Sequence, residues 1–125
     1  DNYNQANNSI NNNYIDISNV VPNSNIVTDM ETNTFNVNIN YENPKSFPVD
    51  IYIGFNYIDQ YSIHYLDEYT QIANPGYGDV TIDIELYINY WDHSNDFKIF
   101  VMLFDTETFT PISEDSYVIF QGTVK

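Results

Sequence analysis

Phe97-Lys98-Ile99-Phe100-Val101-Met102-Leu103-Phe104 is the stretch that decides the fold. On a period of two, Phe97, Ile99, Val101 and Leu103 share one face, and Phe100, Met102 and Phe104 share the other. The run is too short for a membrane helix, which needs about 20 apolar residues. It reads as a central β-strand, buried on one side by a second sheet and partly covered on the other.

Working upstream, Val80, Ile82, Ile84, Leu86 and Ile88 alternate with Thr81, Asp83, Glu85, Tyr87 and Asn89, a long half-exposed strand. The turn signal Asn74-Pro75-Gly76 precedes it. Residues 58–76 are the least periodic, and only Tyr61, Ile63 and Tyr65 suggest a short edge strand. Val49, Ile51, Ile53, Phe55 and Tyr57 share a face opposite Asp50, Tyr52, Gly54 and Asn56. Phe35-Asn36-Val37-Asn38-Ile39-Asn40-Tyr41 gives the clearest alternation, its asparagines facing water or another chain. Tyr14–Ser18 and Ile26–Thr28 read as short strands. Downstream come a loop, Asp105–Asp115, and a last strand, Tyr117–Val124, with Val118, Phe120 and Val124 as core positions. About seven strands without helical periodicity predict an all-β, two-sheet antiparallel sandwich over residues 14–125. Residues 1–13, asparagine-rich and polar, are expected to be an extension outside it.

The chain carries 18 acidic residues against 3 basic ones, a formal charge of −15, with neither arginine nor cysteine. That charge repels phosphate backbones and anionic lipid, which argues against nucleic-acid and membrane partners. The counterions must be bound cations, solvent cations or a basic partner. Without cysteine there is no disulfide framework, thiol nucleophile or cysteine-ligated zinc. The chain begins at Asp1 and shows neither a signal peptide nor a transmembrane run, so a processed, secreted protein is the expectation.

No catalytic motif is present. His64 and His93 are the only histidines, and no nucleophile-base pair can be assembled around them, so the chain is expected not to be an enzyme. No cofactor is required, but calcium is a candidate ligand. Asp92, Ser94 and Asp96 supply alternating oxygens, although Phe97 stands where an EF-hand has glycine; Asp105 with Glu107, and Glu114 with Asp115, add carboxylates in turns. Solvated turn carboxylates are the plainer reading. Among the 12 tyrosines, Tyr52, Tyr87 and Tyr61 fall on outward faces. With Trp91 they could stack on sugar rings, which makes a carbohydrate-binding or adhesin module the alternative function and glycans a candidate partner. Asn7-Asn8-Ser9 is the only glycosylation sequon, marking Asn7.

The order of loop lengths across residues 14–124 resembles an immunoglobulin-like or fibronectin-type-III-like domain, without the Cys…Trp…Cys signature of antibody domains. The resemblance implies an extracellular or cell-surface module for adhesion, spacing or assembly. In general layout the chain also looks like the subunits of donor-strand-assembled surface filaments. On that reading it is a structural homopolymer, built from copies of itself by donated-strand or β-edge contacts. Ile10, Tyr14, Ile15 and Ile17 are then the candidate contacts of an amino-terminal strand.

Overall fold

The computed structural model describes residues 14–21, 26–27, 31–58, 63–88, 96–121 and 123–124. Every regular element among them is a strand: β1 (Ile15–Val21), β2 (Ile26–Val27), β3 (Glu31–Asn43), β4 (Val49–Ile58), β5 (Ile63–Ala73), β6 (Gly76–Ile88), β7 (Asp96–Asp105), β8 (Thr110–Pro111), β9 (Ser116–Gln121) and β10 (Thr123–Val124). They form an all-β sandwich of two antiparallel sheets. The smaller sheet has the order β1-β3-β6. The larger runs β5-β4-β7, and the far side of β7 pairs with β9 along its first half and with β8 at its end.

The core is what the period-two pattern demands. Phe35, Val37, Ile39, Ile84 and Leu86 of the smaller sheet face Ile51, Ile53, Phe55, Ile99, Val101 and Leu103 of the larger, all essentially buried. The rings of Phe35 and Phe55 meet across the layers at 5.5 Å. Val49, Phe97 and Val118 complete the wall of the larger sheet. On β1 the register slips between Ile17 and Asn19, so that Ile15, Ile17 and Val20 all point inward.

Several boundaries differ from the sequence reading. The short edge strand expected around Tyr61–Tyr65 is the eleven-residue β5. As an edge strand it is solvated on most of both faces, and an extra residue at Leu66 opposite the Phe55/Asn56 step breaks its alternation. The expected loop Asp105–Asp115 contains β8. The last strand is divided into β9 and β10; Val118 is buried, and the side chains of Phe120 and Val124 lie outside the described set. Gly54 lies under the ring of Phe100, its directly paired neighbour, and a Cβ there would collide with that ring.

Each seam of the sandwich is closed by side-chain bonds. On one side the Tyr69 hydroxyl of β5 donates to the Glu85 carbonyl of β6 at 2.5 Å. On the other, the buried Ser116 hydroxyl of β9 accepts from the Ile17 amide of β1 and donates to Asp16, both at 3.2 Å. Beyond Ser116, β2 and β10 pair in parallel, Ile26 opposite Thr123 and Val27 opposite Val124. The segments β1–β2 and β9–β10 therefore run along this seam in the same direction.

Candidate functional site

The two outer faces of the sandwich differ in how their side chains are grouped. On the smaller sheet the asparagines of β3 point at the carboxylates of β6. Asn36 Nδ2 donates to Asp83 Oδ1 at 2.8 Å, and Asn38 Nδ2 to Asp79 Oδ1 at 2.8 Å and Thr81 Oγ1 at 2.9 Å. Ser18 of β1 donates to the Asn38 side-chain oxygen. Amide donors placed between carboxylates let a row of acids share one sheet face without an acid directly opposite another. The middle of the face is thus a hydrogen-bonded polar ladder, with Tyr77 and Tyr87 exposed towards the two ends of β6.

The outer face of the larger sheet is aromatic. Pairing aligns Phe104 with Asp50, Met102 with Tyr52, Phe100 with Gly54, and Phe100 with Tyr117 on the far side. On β5, Thr70 stands beside Tyr52 and Glu68 beside Gly54. Because strands alternate, these residues all project away from the core.

One half of this face is self-contained. Lys98 Nζ lies 4.5 Å from the centroid of the Tyr117 ring, 5.5 Å from that of Phe100, and 3.7 Å from a carboxylate oxygen of Asp115. An ammonium over an aromatic face is attracted by the ring quadrupole, and the carboxylate takes up part of its charge.

The other half is an open groove of about 420 Å³, lined by Tyr52, Phe104 and Phe109 with Asp50, Glu68 and Met102 among their neighbours. Tyr52 joins the halves: its ring lies 5.8 Å from that of Phe100, and its hydroxyl donates to Glu68 Oε1 at 2.6 Å. Phe109 comes from the β7–β8 turn. Asp105 builds that turn by accepting from the Glu107 and Thr108 amides at 3.0 and 3.4 Å. Phe109 itself sits at a φ of 61°, a left-handed conformation that costs a residue with a Cβ about 1–2 kcal/mol. Its ring is 80% exposed and meets Phe104 edge-on at 5.7 Å.

Burial first, then the hydrogen bond to Glu68, pushes the Tyr52 hydroxyl up to about 12 from its ordinary 10. A folded-state value above the unfolded one means that this contribution to stability is complete below pH 10 and is lost as pH rises from 10 towards 12. Ultraviolet titration of phenolate should show Tyr52→Phe losing amplitude at the late, high-pH end, to which Tyr65 and Tyr69, also raised by burial first, still contribute. Amplitude lost around pH 10 instead would remove the Tyr52–Glu68 bond from the site.

The residues singled out in the sequence are distributed differently. Ile15 and Ile17 are buried in the chain's own core and paired with Tyr41 and Ile39 of β3, and the Tyr14 carbonyl accepts from the Glu42 amide at 2.6 Å. Tyr52 lines the groove, whereas Tyr87 is on β6 of the other sheet, so the two do not form one platform. His64 stacks on Tyr57 at 4.4 Å. Of the calcium candidates, Asp96 and Asp105 are the first and last residues of β7, roughly 30 Å apart at the rise of a strand, and cannot share an ion. Asp105 is spent on its turn, which also holds Glu107. Among the described residues no group of three or more histidine, cysteine, aspartate or glutamate side chains is placed to hold a metal. Asn7, Ile10, Tyr61, Trp91, Asp92, His93 and Ser94 lie outside the described residues.

Sequence reasoning missed Phe109, Asp50 and Glu68. Phe109 carried a signal, an apolar ring in a turn otherwise made of threonine and acid. A scan of protein-family models finds no match to the chain, and a comparison with curated proteins finds no relative.

Proposed function

We propose that the chain is a non-catalytic, extracellular β-sandwich module, a structural or adhesive subunit that meets its partner through the aromatic outer face of the larger sheet. Its connectivity supports the fibronectin-type-III-like form of the immunoglobulin-like fold. The first, second and fifth long strands (β1, β3, β6) form one sheet, and the fourth, β5, stays beside the third, β4, in the other. The observation that carries the functional reading is the contrast between faces. One is a hydrogen-bonded polar ladder with exposed but separate Tyr77 and Tyr87 near the ends of β6, whereas the other groups half-buried Tyr52, Met102 and Phe104 with the exposed Phe109 around an open groove on a chain of charge −15. Rigid aromatics grouped on a sheet face are contact surfaces with little ordering entropy to lose.

The test is sedimentation velocity with electron microscopy on the whole chain, alone across the micromolar range and mixed with cell-surface extract from its source. Association that Phe104→Asp abolishes, in a variant with an unchanged melting curve, is the expected result. Association untouched by Phe104→Asp would overturn the face as the contact.

A second reading is assembly from copies by exchange of β1, and the placement of β1 favours it. This strand lies at the edge of its sheet, directly after the 1–13 extension, and buries Ile15, Ile17 and Val20 in a slot that another copy's β1 would fit equally well. Polymers that persist in Phe104→Asp and vanish in Ile15→Asp would select this reading over the first.

A further inference from the structure

We propose that the groove between Tyr52, Phe104 and Phe109 is a seat for the ammonium group of a lysine side chain, presented by a basic segment of a partner protein. This rests on the reading of the larger sheet's outer face as the contact surface, and it names the chemistry of what docks there.

The molecule already shows the arrangement once. On the adjoining half of the same face, Lys98 places its ammonium over the rings of Tyr117 and Phe100 and beside Asp115. The groove repeats the set, with rings from Tyr52, Phe104 and Phe109 and carboxylates from Asp50 and Glu68, but among the described residues no cation lines it. Lys98 is committed to its own half, and Lys45 lines a different recess with Tyr14 and Asp105. Lys125 lies outside the described residues.

The polar groups of the groove also choose among ligands. The Asp50 carboxylate makes no hydrogen bond or ion pair with any described residue, and Glu68 receives only the Tyr52 hydroxyl on its side chain. That hydroxyl is spent as a donor. The lining is thus rich in acceptors, with the Thr70 and Thr106 hydroxyls as its remaining side-chain donors. Sugars need donors and acceptors together, whereas a lysine ammonium offers three donors and no acceptor. A quaternary ammonium would satisfy the rings but donate a hydrogen bond to neither carboxylate. The lysine stem has apolar cover from Met102 and the ring of Phe104, so the side chain can lie along the groove with its charge at the acidic rim. A net charge of −15 adds long-range attraction for a basic segment and repels further copies of this acidic chain.

The experiment is a ¹⁵N-HSQC titration of the whole chain with Nα-acetyl-lysine amide and with tetralysine. The comparison ligands are Nα,Nε-diacetyl-lysine amide, the arginine analogue and cellobiose. A single lysine is expected to bind on the order of millimolar, tetralysine more tightly, with shifts at Tyr52, Thr70, Met102 and Phe104 that weaken with salt. Phe109→Gly, which suits the left-handed position and keeps the turn, and Asp50→Asn are each expected to weaken tetralysine about tenfold. No groove shifts with lysine at tens of millimolar, equal binding of the diacetylated ligand, or stronger binding of cellobiose or the arginine analogue would each overturn the proposal. Loss of lysine binding beside an association still sensitive to Phe104→Asp would remove the lysine seat alone. Lysine binding beside an association indifferent to Phe104→Asp would instead remove the contact face.

Discussion

Val101→Asp is expected not to fold. Val101 is fully buried in the middle of β7, paired with Ile53 on one side and Ser116 on the other. Its inner-face neighbours on β7 are Ile99 and Leu103, also fully buried, and among the described residues no basic one is in the core. An ionised carboxylate there has no partner and costs several kcal/mol, comparable to the whole stability of about 5–15 kcal/mol available to a domain of this kind. Val101→Ala, which removes methyl groups without adding charge, should remain folded with a loss of about 2–3 kcal/mol. Circular dichroism with thermal melting distinguishes the two. A cooperative melt of the aspartate variant at neutral pH would show that β7 is not the centre of the core.

Asn43→Ala should produce the next largest loss, about 3 kcal/mol, or roughly 10 °C in melting temperature. Asn43 is 2% exposed at the end of β3. Its Nδ2 donates to the Phe47 carbonyl at 2.9 Å and to the Ala73 carbonyl at 3.0 Å, and its Oδ1 accepts from the Lys45 amide at 2.9 Å. One side chain therefore ties the β3–β4 connection to the end of β5. Alanine leaves those backbone groups short of a partner in a place that water reaches poorly, which costs more than the bonds themselves are worth on balance. Urea unfolding of both proteins measures the difference, and a change below about 0.5 kcal/mol would mean that water replaces the amide fully.

Asn43 also shows where the sequence stops being informative. It reads as the start of an Asn-Pro turn, and nothing local announces that its side chain spans to residue 73. The strands that were legible, β3, β4, β6 and β7, are those with an apolar inner face packed on the core, because burial of one face writes a period of two into the chain. β5 was illegible for the complementary reason: an edge strand with most of both faces in water is under no such constraint, and its extra residue at Leu66 shifts the parity. The site divides in the same way. The outward set Phe100, Met102 and Phe104, and Tyr52 opposite them, could be read from parity alone. Parity gives the face of a strand but not its sheet, which is why Tyr52 and Tyr87 looked like partners and are not. The separation of Asp96 from Asp105 was available from the length of a single strand.

The direction of the closing seam has a mechanical consequence. β1–β2 and β9–β10 lie side by side and point the same way, joined at Ser116 and again at the Ile26–Thr123 and Val27–Val124 pairs. Tension that draws residue 14 away from residue 124 pulls one segment backward and the other forward, sliding them along their common axis. The bonds of the seam are then stretched together and must fail together. Opposed strands pulled apart from one end would instead surrender their bonds singly, as a zip does. A module tethered at its two ends would for this reason give way abruptly, at a force set by the whole seam rather than by its weakest bond.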